Sequence, residues 1–259
     1  MTGTGEILLR ADGVTKSFGG VRAVRAVSFE VASGSVFAII GPNGAGKSTM
    51  LNLIAGVHQP DSGSLDLARH SLAGLPPHRR ARLGIARTFQ KIRLFRQLSA
   101  LDNVLAGFHV RHGIPAWQYL LHGEGFRASR ARCRAEALEL LAFAGLAGRR
   151  DAPAGALSYG EQRMLELARA LATRPRLLLI DEPAAGLNGV EVERLIERIL
   201  KVRGDGVAVV LVEHNMDLVM TVAARILVMD SGRHLFEGAP AEVQRHPAVV
   251  AAYLGGDAA

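Results

Sequence analysis

The segment VFAIIGPNGAGKST at 36–49 constrains this chain more than any other. Five apolar residues run into a glycine-rich turn, and a lysine and a serine then open a helical pattern. The turn matches G-x-x-x-x-G-K-[ST] through Gly41, Gly46, Lys47 and Ser48, in the strand-then-helix setting that the motif needs. Met50, Leu51, Ile54 and Ala55 follow at the spacing of one helix face. Between strand and helix lie Gly41, Pro42, Asn43, Gly44, Ala45 and Gly46, a loop whose glycines let successive amides converge on a phosphate chain. A helix entered through Lys47, Ser48 and Thr49 adds a favourable potential for negative charge. The motif predicts that Lys47 neutralises the β- and γ-phosphates of a nucleotide and that Ser48 coordinates Mg²⁺.

The rest of the chain repeats this strand-and-helix rhythm. LLLI at 177–180 and VAVVLV at 207–212 are short apolar runs, each followed by a polar loop, and Val192, Leu195, Ile196 and Ile199 then lie at helical spacing. Such runs read as buried parallel strands with crossover helices, and ligands bind where the strands end. Asp181 and Glu182 in LLLIDEP stand at that edge. Two adjacent carboxylates leaving a buried strand need partners, and a nucleotide-bound Mg²⁺ supplies one for Asp181. Glu182 is then left to polarise the water that attacks the γ-phosphate. Taken alone, the pair also fits an ordinary acidic turn.

At 259 residues the chain suffices for one large domain with an inserted lobe. Residues 7–35 read as short strands broken by FGG and ASGS, an antiparallel β edge. Residues 91–156 are rich in Arg and Ala, with Ala135, Leu138, Leu141 and Ala142 at helical spacing and a less regular stretch, RHGIPAWQYLLHGEGF. They are expected to form an inserted helical subdomain, flanked by a core of 1–90 and 157–259. The final RILVMDSGRHLFEG and PAEVQRHPAVVAAYLG predict a hairpin and two short helices.

In ALSYGEQRMLELARALA, Ser158 followed by Glu161 is a capping box, and Met164, Leu167, Ala168 and Leu171 form one apolar face. A helix with free first amides is expected there. LSYGEQ, placed between the phosphate loop and the acidic strand, resembles the signature motif of ABC ATPases, LSGGQ in its commonest form. The resemblance implies an α/β fold with a RecA-like P-loop core and mainly parallel sheet, an N-terminal antiparallel β subdomain and an inserted α-helical subdomain. It also implies ATP with Mg²⁺ as the bound group. It assigns Phe18, in KSFGG, to stacking on adenine, and Gln90, in RTFQ, to sensing Mg²⁺ and the attacking water. His214, in LVEHN, becomes the γ-phosphate contact. Ser158, the amide of Gly160 and Glu161 would serve the nucleotide of a facing subunit. Asn188 departs from the Asp commonest at its position. RTFQKIRLFRQLSALDNV, DEPAAGLN and VEHNMDLVM look like the ATPases of branched-chain amino-acid importers in particular, where GLN at 186–188 is usual.

The partners implied are transmembrane permease subunits, a second ATPase subunit in a homo- or heterodimer and, indirectly, a periplasmic substrate-binding protein. The location implied is peripheral, at the cytoplasmic face of the inner membrane. Composition agrees: no apolar run approaches the length of a membrane span, no signal peptide is evident, and the single Cys133 cannot form an internal disulfide. The net charge of +7 invites a nucleic-acid reading. It is concentrated in residues 69–150, with 15 Lys and Arg against 4 Asp and Glu, while the remainder has 16 against 20. That segment reads either as a solvated helical surface or as a lobe near anionic lipid or acidic partner loops. No nucleic-acid partner is expected, since the double cassettes, coiled coils and zinc-binding insertions of such ATPases are missing. An ABC ATPase of another importer class, or one acting on nucleic acid or ribosomes, is the competing assignment.

Overall fold

The structure, a computed structural model, describes residues 6–112 and 124–254, without the side chains of 110–130 and 254. Most of RHGIPAWQYLLHGEGF, and the side chain of Arg111, therefore lie outside the described residues. The chain opens with two 12-residue strands, β1 (Ile7–Phe18) and β2 (Val21–Ala32). They are longer than the broken pattern suggested because register shifts along the pair absorb its irregularities. With β4 (Ser62–Leu67) and β5 (His70–Ser71) they form an antiparallel sheet ordered β2-β1-β4-β5.

The second sheet carries the chemistry. Its strands are β3 (Val36–Ile40), β6 (Ile85–Arg87), β7 (Leu177–Asp181), β8 (Ala208–Val212), β9 (Arg225–Asp230) and β10 (Arg233–Gly238), in the order β10-β9-β3-β8-β7-β6. Only the β9–β10 hairpin pairs antiparallel; the four other pairings are parallel. In β3, β7 and β8 every residue is buried, as continuous Val/Ile/Leu runs require of strands covered on both faces. The three-residue β6 is too short to stand out in the sequence, yet it extends the sheet and delivers the segment leading to Gln90.

Helix α1 (Lys47–Ala55) packs between the two sheets, against β2 and against β6, β7 and β8, and helix α2 (Pro77–Arg82) lies against β6. Helices α3 (Ala100–His112), α4 (Glu124–Phe143) and α5 (Tyr159–Leu171) share an apolar cluster built on Leu101, Val104, Phe108, Leu141 and Leu165. Among the described side chains of α4 the buried positions are Ala137 and Leu141, with Cys133 half-buried, whereas Ala135 and Ala142 are exposed. The face is thus rotated from the one expected, because alanine occurs on both sides of the helix. On α5, Leu165 and Ala170 are buried as well as Leu167 and Ala168, while Met164 and Leu171 are only half-buried. The helix is wedged between two clusters, so a one-faced pattern underestimates its burial. Helices α6 (Gly189–Gly204), α7 (Met216–Val222), α8 (Pro240–Arg245) and α9 (Pro247–Leu254) complete the chain. The terminal hairpin and two short helices are as the sequence suggested.

Candidate active site at the strand ends

Because β3, β8, β7 and β6 are neighbours and parallel, their C-terminal ends lie along one edge. These strand ends and the loops that leave them carry Gly41–Gly46, His214, Asp181 with Glu182, and Gln90. The phosphate-type loop depends on two glycines for its shape. A Cβ on Gly41 would collide with Met229 O, and one on Gly46 with Ala23 O; both backbones have positive φ. Gly46 is also the N-cap of α1 and offers no side-chain bond to the helix, so the helix opens toward the loop with uncapped amides. Lys47 is 8% exposed, and its Nζ donates to Gly41 O at 2.7 Å and Pro42 O at 2.8 Å. Burial lowers its pKa from the ordinary lysine value, opposed by the carboxylates of Glu182 and Asp181. Ser48 is exposed and Thr49 half-buried.

Asp181 is 4% exposed. Its Oδ2 accepts from Arg87 Nη2 at 3.0 Å, while the buried Oδ1 has no hydrogen-bond partner. Burial raises its pKa, and Arg87 pulls it back. A carboxylate so placed is under-compensated and has one oxygen to give to a cation. Among the described residues no group of three or more His, Cys, Asp or Glu converges as a metal cage. Magnesium does not need one, since it takes one or two protein oxygens plus phosphate and water. Asp181 and the Ser48 hydroxyl fit that pattern.

Glu182 follows with φ 45, a left-handed backbone that a non-glycine residue adopts only at a cost. Its carboxylate accepts from Gln90 Nε2 at 2.8 Å, which joins two residues expected at the site. His214 has an exposed side chain, and its polar contact is to Glu213, not to Glu182 or Gln90. Phe18, at the end of β1, is 42% exposed and meets His58 edge-on at 5.0 Å between ring centres.

Three ties were invisible in the sequence. Glu213, 1% exposed, accepts from the amides of Ala184 (2.8 Å), His214 (2.6 Å) and Asn215 (2.9 Å), holding the loops after β7 and β8 together. Arg87, which pairs with Asp181, also donates to Asn52 Oδ1 of α1 at 2.6 Å. Arg163 and Glu166 are buried on α5. Arg163 donates to Phe89 O (2.7 Å), Gln90 O (3.0 Å) and Tyr159 Oη (3.0 Å), while Glu166 accepts from the Arg93 amide at 3.0 Å. Burial raises the Glu166 pKa, opposed first by that Arg93 amide. A polar residue inside an apolar helix pattern was the only available signal for this pair.

The expected capping box is present. Ser158 Oγ accepts from the Glu161 amide at 3.2 Å, and Glu161 Oε2 accepts from the Ser158 amide at 2.8 Å. The expectation that the first amides of α5 are free is thus corrected in one respect: the Glu161 amide is taken by Ser158. Gly160 lies so close to Glu191 of α6 that a Cβ would overlap its carboxylate. Among the described residues, no hydrogen bond joins Ser158, Gly160 or Glu161 to the 41–49 loop. Asn188 caps α6, accepting from the Glu191 amide at 3.0 Å, with Glu191 Oε2 accepting in return from the Asn188 amide at 3.0 Å. An amide side chain serves as an N-cap as well as a carboxylate does.

Residues 24–185 match the family model described as ABC transporter, and residues 233–259 match that described as branched-chain amino acid ATP-binding cassette transporter. The chain is 41% identical over 249 residues to the high-affinity branched-chain amino acid transport ATP-binding protein BraF of Pseudomonas aeruginosa, covering 96% of this chain and 98% of that one. It is 36% identical to the lipopolysaccharide export system ATP-binding protein LptB of Acidithiobacillus ferridurans, covering 96% and 97%. Among solved structures, the ADP conformation of an ATP-binding cassette of an ABC transporter superposes with a TM-score of 0.83 at 30% identity, covering 96% and 99%. A dimeric cassette in a post-hydrolysis state, bound to ADP and Pi, gives 0.76 at 27%, covering 90% and 99%.

Proposed function

The chain belongs to the ABC transporter family, and on that premise we propose that it hydrolyses ATP to power the import of branched-chain amino acids. Phe18 would stack on the adenine, the 41–49 amides and Lys47 would hold the phosphates, and Ser48, Asp181 and Gln90 would hold Mg²⁺. Bound there, Mg²⁺ would supply positive charge against the β- and γ-phosphate oxygens. Glu182 accepts the proton of the attacking water, Gln90 orients that carboxylate, and His214 contacts the γ-phosphate. Ser158, the Gly160 amide and Glu161 act on the nucleotide of a facing ATPase subunit, identical or related. The observation that carries the hydrolytic part is the Gln90–Glu182 bond of 2.8 Å beside a buried Asp181 with a free oxygen.

No helix among the described residues is long and apolar enough to cross a membrane. By its family membership we place the chain at the cytoplasmic face, acting on permease subunits supplied with substrate by a periplasmic binding protein. The cleft of about 390 Å³ between α2, α3 and α5, lined by Val57, Pro77, Ala81, Phe89, Phe95 and Gly107, receives a permease segment. Residues 91–156 form the helical subdomain that moves with it, and 1–90 with 157–259 the nucleotide-binding core. The match of the C-terminal segment and the higher identity to BraF favour import. The relation to LptB keeps an exporter role as the second reading.

The test is uptake of radiolabelled leucine by cells whose own copy of this chain carries Glu182→Gln. Uptake should fall to background, and turnover of the assembled ATPase by about 10²–10⁴-fold, with ATP binding retained. Normal leucine uptake together with arrested lipopolysaccharide export would favour the second reading.

A further inference from the structure

Arg80 is 1% exposed and is a member of α2, yet among the described residues no carboxylate pairs with it. All five of its guanidinium N–H groups are instead matched by neutral oxygens. Nη1 donates to Leu53 O (2.6 Å) and Ile54 O (3.0 Å), two carbonyls in the last turn of α1, the first of which also accepts from the Gly56 amide. Nε donates to Leu75 O (2.9 Å), and Nη2 to Leu72 O (2.8 Å) and Gln59 Oε1 (3.2 Å). A helix leaves its final carbonyls unsatisfied and its C-terminus partially negative. A buried fixed cation there meets both demands, and it explains how the chain tolerates an unpaired guanidinium in its interior. Gly56, the left-handed C-cap of α1, makes room for it: a Cβ would stand 2.7 Å from Arg80 Nε.

The other end of the same nine-residue helix is the phosphate-facing one, at Lys47. On α2, Pro77 and Ala81 line the cleft while Arg80 turns inward. We infer that Arg80 is a positioning residue for nucleotide: it fixes α1 against α2 from behind, so that the amides of 46–49 are held where the phosphates bind. The inference rests on the nucleotide-site reading of the 41–49 loop. It also implies that the cleft wall and the phosphate loop share one rigid connection.

A lysine keeps the charge but offers one donor centre where the guanidinium offers three, so it cannot reach α1, Leu72 and Leu75 together. ATP titration of the free full-length chain, at a temperature where circular dichroism shows each protein folded, should give an affinity about tenfold weaker in Arg80→Lys. Gly56→Ala, which pushes on the guanidinium, should weaken it in the same direction. A lower melting temperature with ATP affinity within twofold of wild type would mean a purely structural arginine and would overturn the inference. If Arg80→Lys does not fold, amide exchange on the wild type decides. ATP should slow exchange in 79–84 as well as in 46–55, and protection confined to 46–55 overturns the inference. A wild-type chain that binds no ATP removes the nucleotide-site reading itself, and the inference with it.

Discussion

Helix α1 begins at a left-handed glycine with no side chain closing its end, whereas α5 begins inside a reciprocal box between Ser158 and Glu161. Helices α6 and α7 resemble α5, with Asn188 and Asn215 as caps. An uncapped N-terminus costs stability, typically ~1 kcal/mol relative to a good cap. It is tolerated at α1 because the loop wraps over it and Lys47 is pinned across it by two carbonyls. On the proposed reading, the contrast separates the half of a nucleotide site that one chain assembles by itself from the half that it lends to a facing subunit. At α1 the donors, the lysine and the partly satisfied Asp181 are already assembled. At α5 the hydroxyl of Ser158 is engaged locally, and no hydrogen bond of the described residues ties it to the chain's own phosphate loop.

The most severe way to break that contrast is Ser158→Arg. It sets a bulky cation at a helix N-terminus, where positive charge is unfavourable. In an assembled dimer it should cut turnover about 10²–10³-fold at the nucleotide held by the partner's phosphate loop, leaving ATP binding by the free chain unchanged. Site-resolved hydrolysis in a dimer with one altered subunit distinguishes the cases; direct loss at the site containing this chain's Lys47 would refute the division. Next is Lys47→Ala, which should act in the free chain. A hydrogen bond to a charged group is worth about 1.5–3 kcal/mol, so ATP affinity measured by calorimetry should fall roughly 10- to 100-fold. Equal ATP affinity in the two proteins would show that the lysine contributes nothing to the cradle. The mildest change, Ser158→Ala, opens the box without adding charge. It should lower stability to urea by about 1 kcal/mol with ATP affinity intact, whereas no stability loss would mean that the box does not hold α5.

These two helix starts were also the most legible parts of the sequence, because each is written in residues only a few positions apart. The strands β3, β7 and β8 were legible for a similar reason, as unbroken apolar runs. What escaped was assembled by topology. Arg87 and Asp181 are 94 residues apart in sequence, and Glu213 reaches Ala184 across 29. No local pattern marks a carboxylate as the partner of a remote amide. Arg80 escaped because its partners are carbonyl oxygens, which every residue has. On α4 the abundance of alanine blurred the distinction between faces, so the helix was found but its orientation was not.

The three amides gathered by Glu213 have a kinetic meaning. Of the three, the bond from the Ala184 amide crosses between the loops, so moving the His214 loop without the segment after Glu182 would break a hydrogen bond to a carboxylate, worth about 1.5–3 kcal/mol, where the buried side chain has no water to replace it. States in which only one of the two loops has shifted are therefore scarce. The pair is expected to behave as a single switch with one coordinate, and a probe on either loop should report the same relaxation rate as a probe on the other.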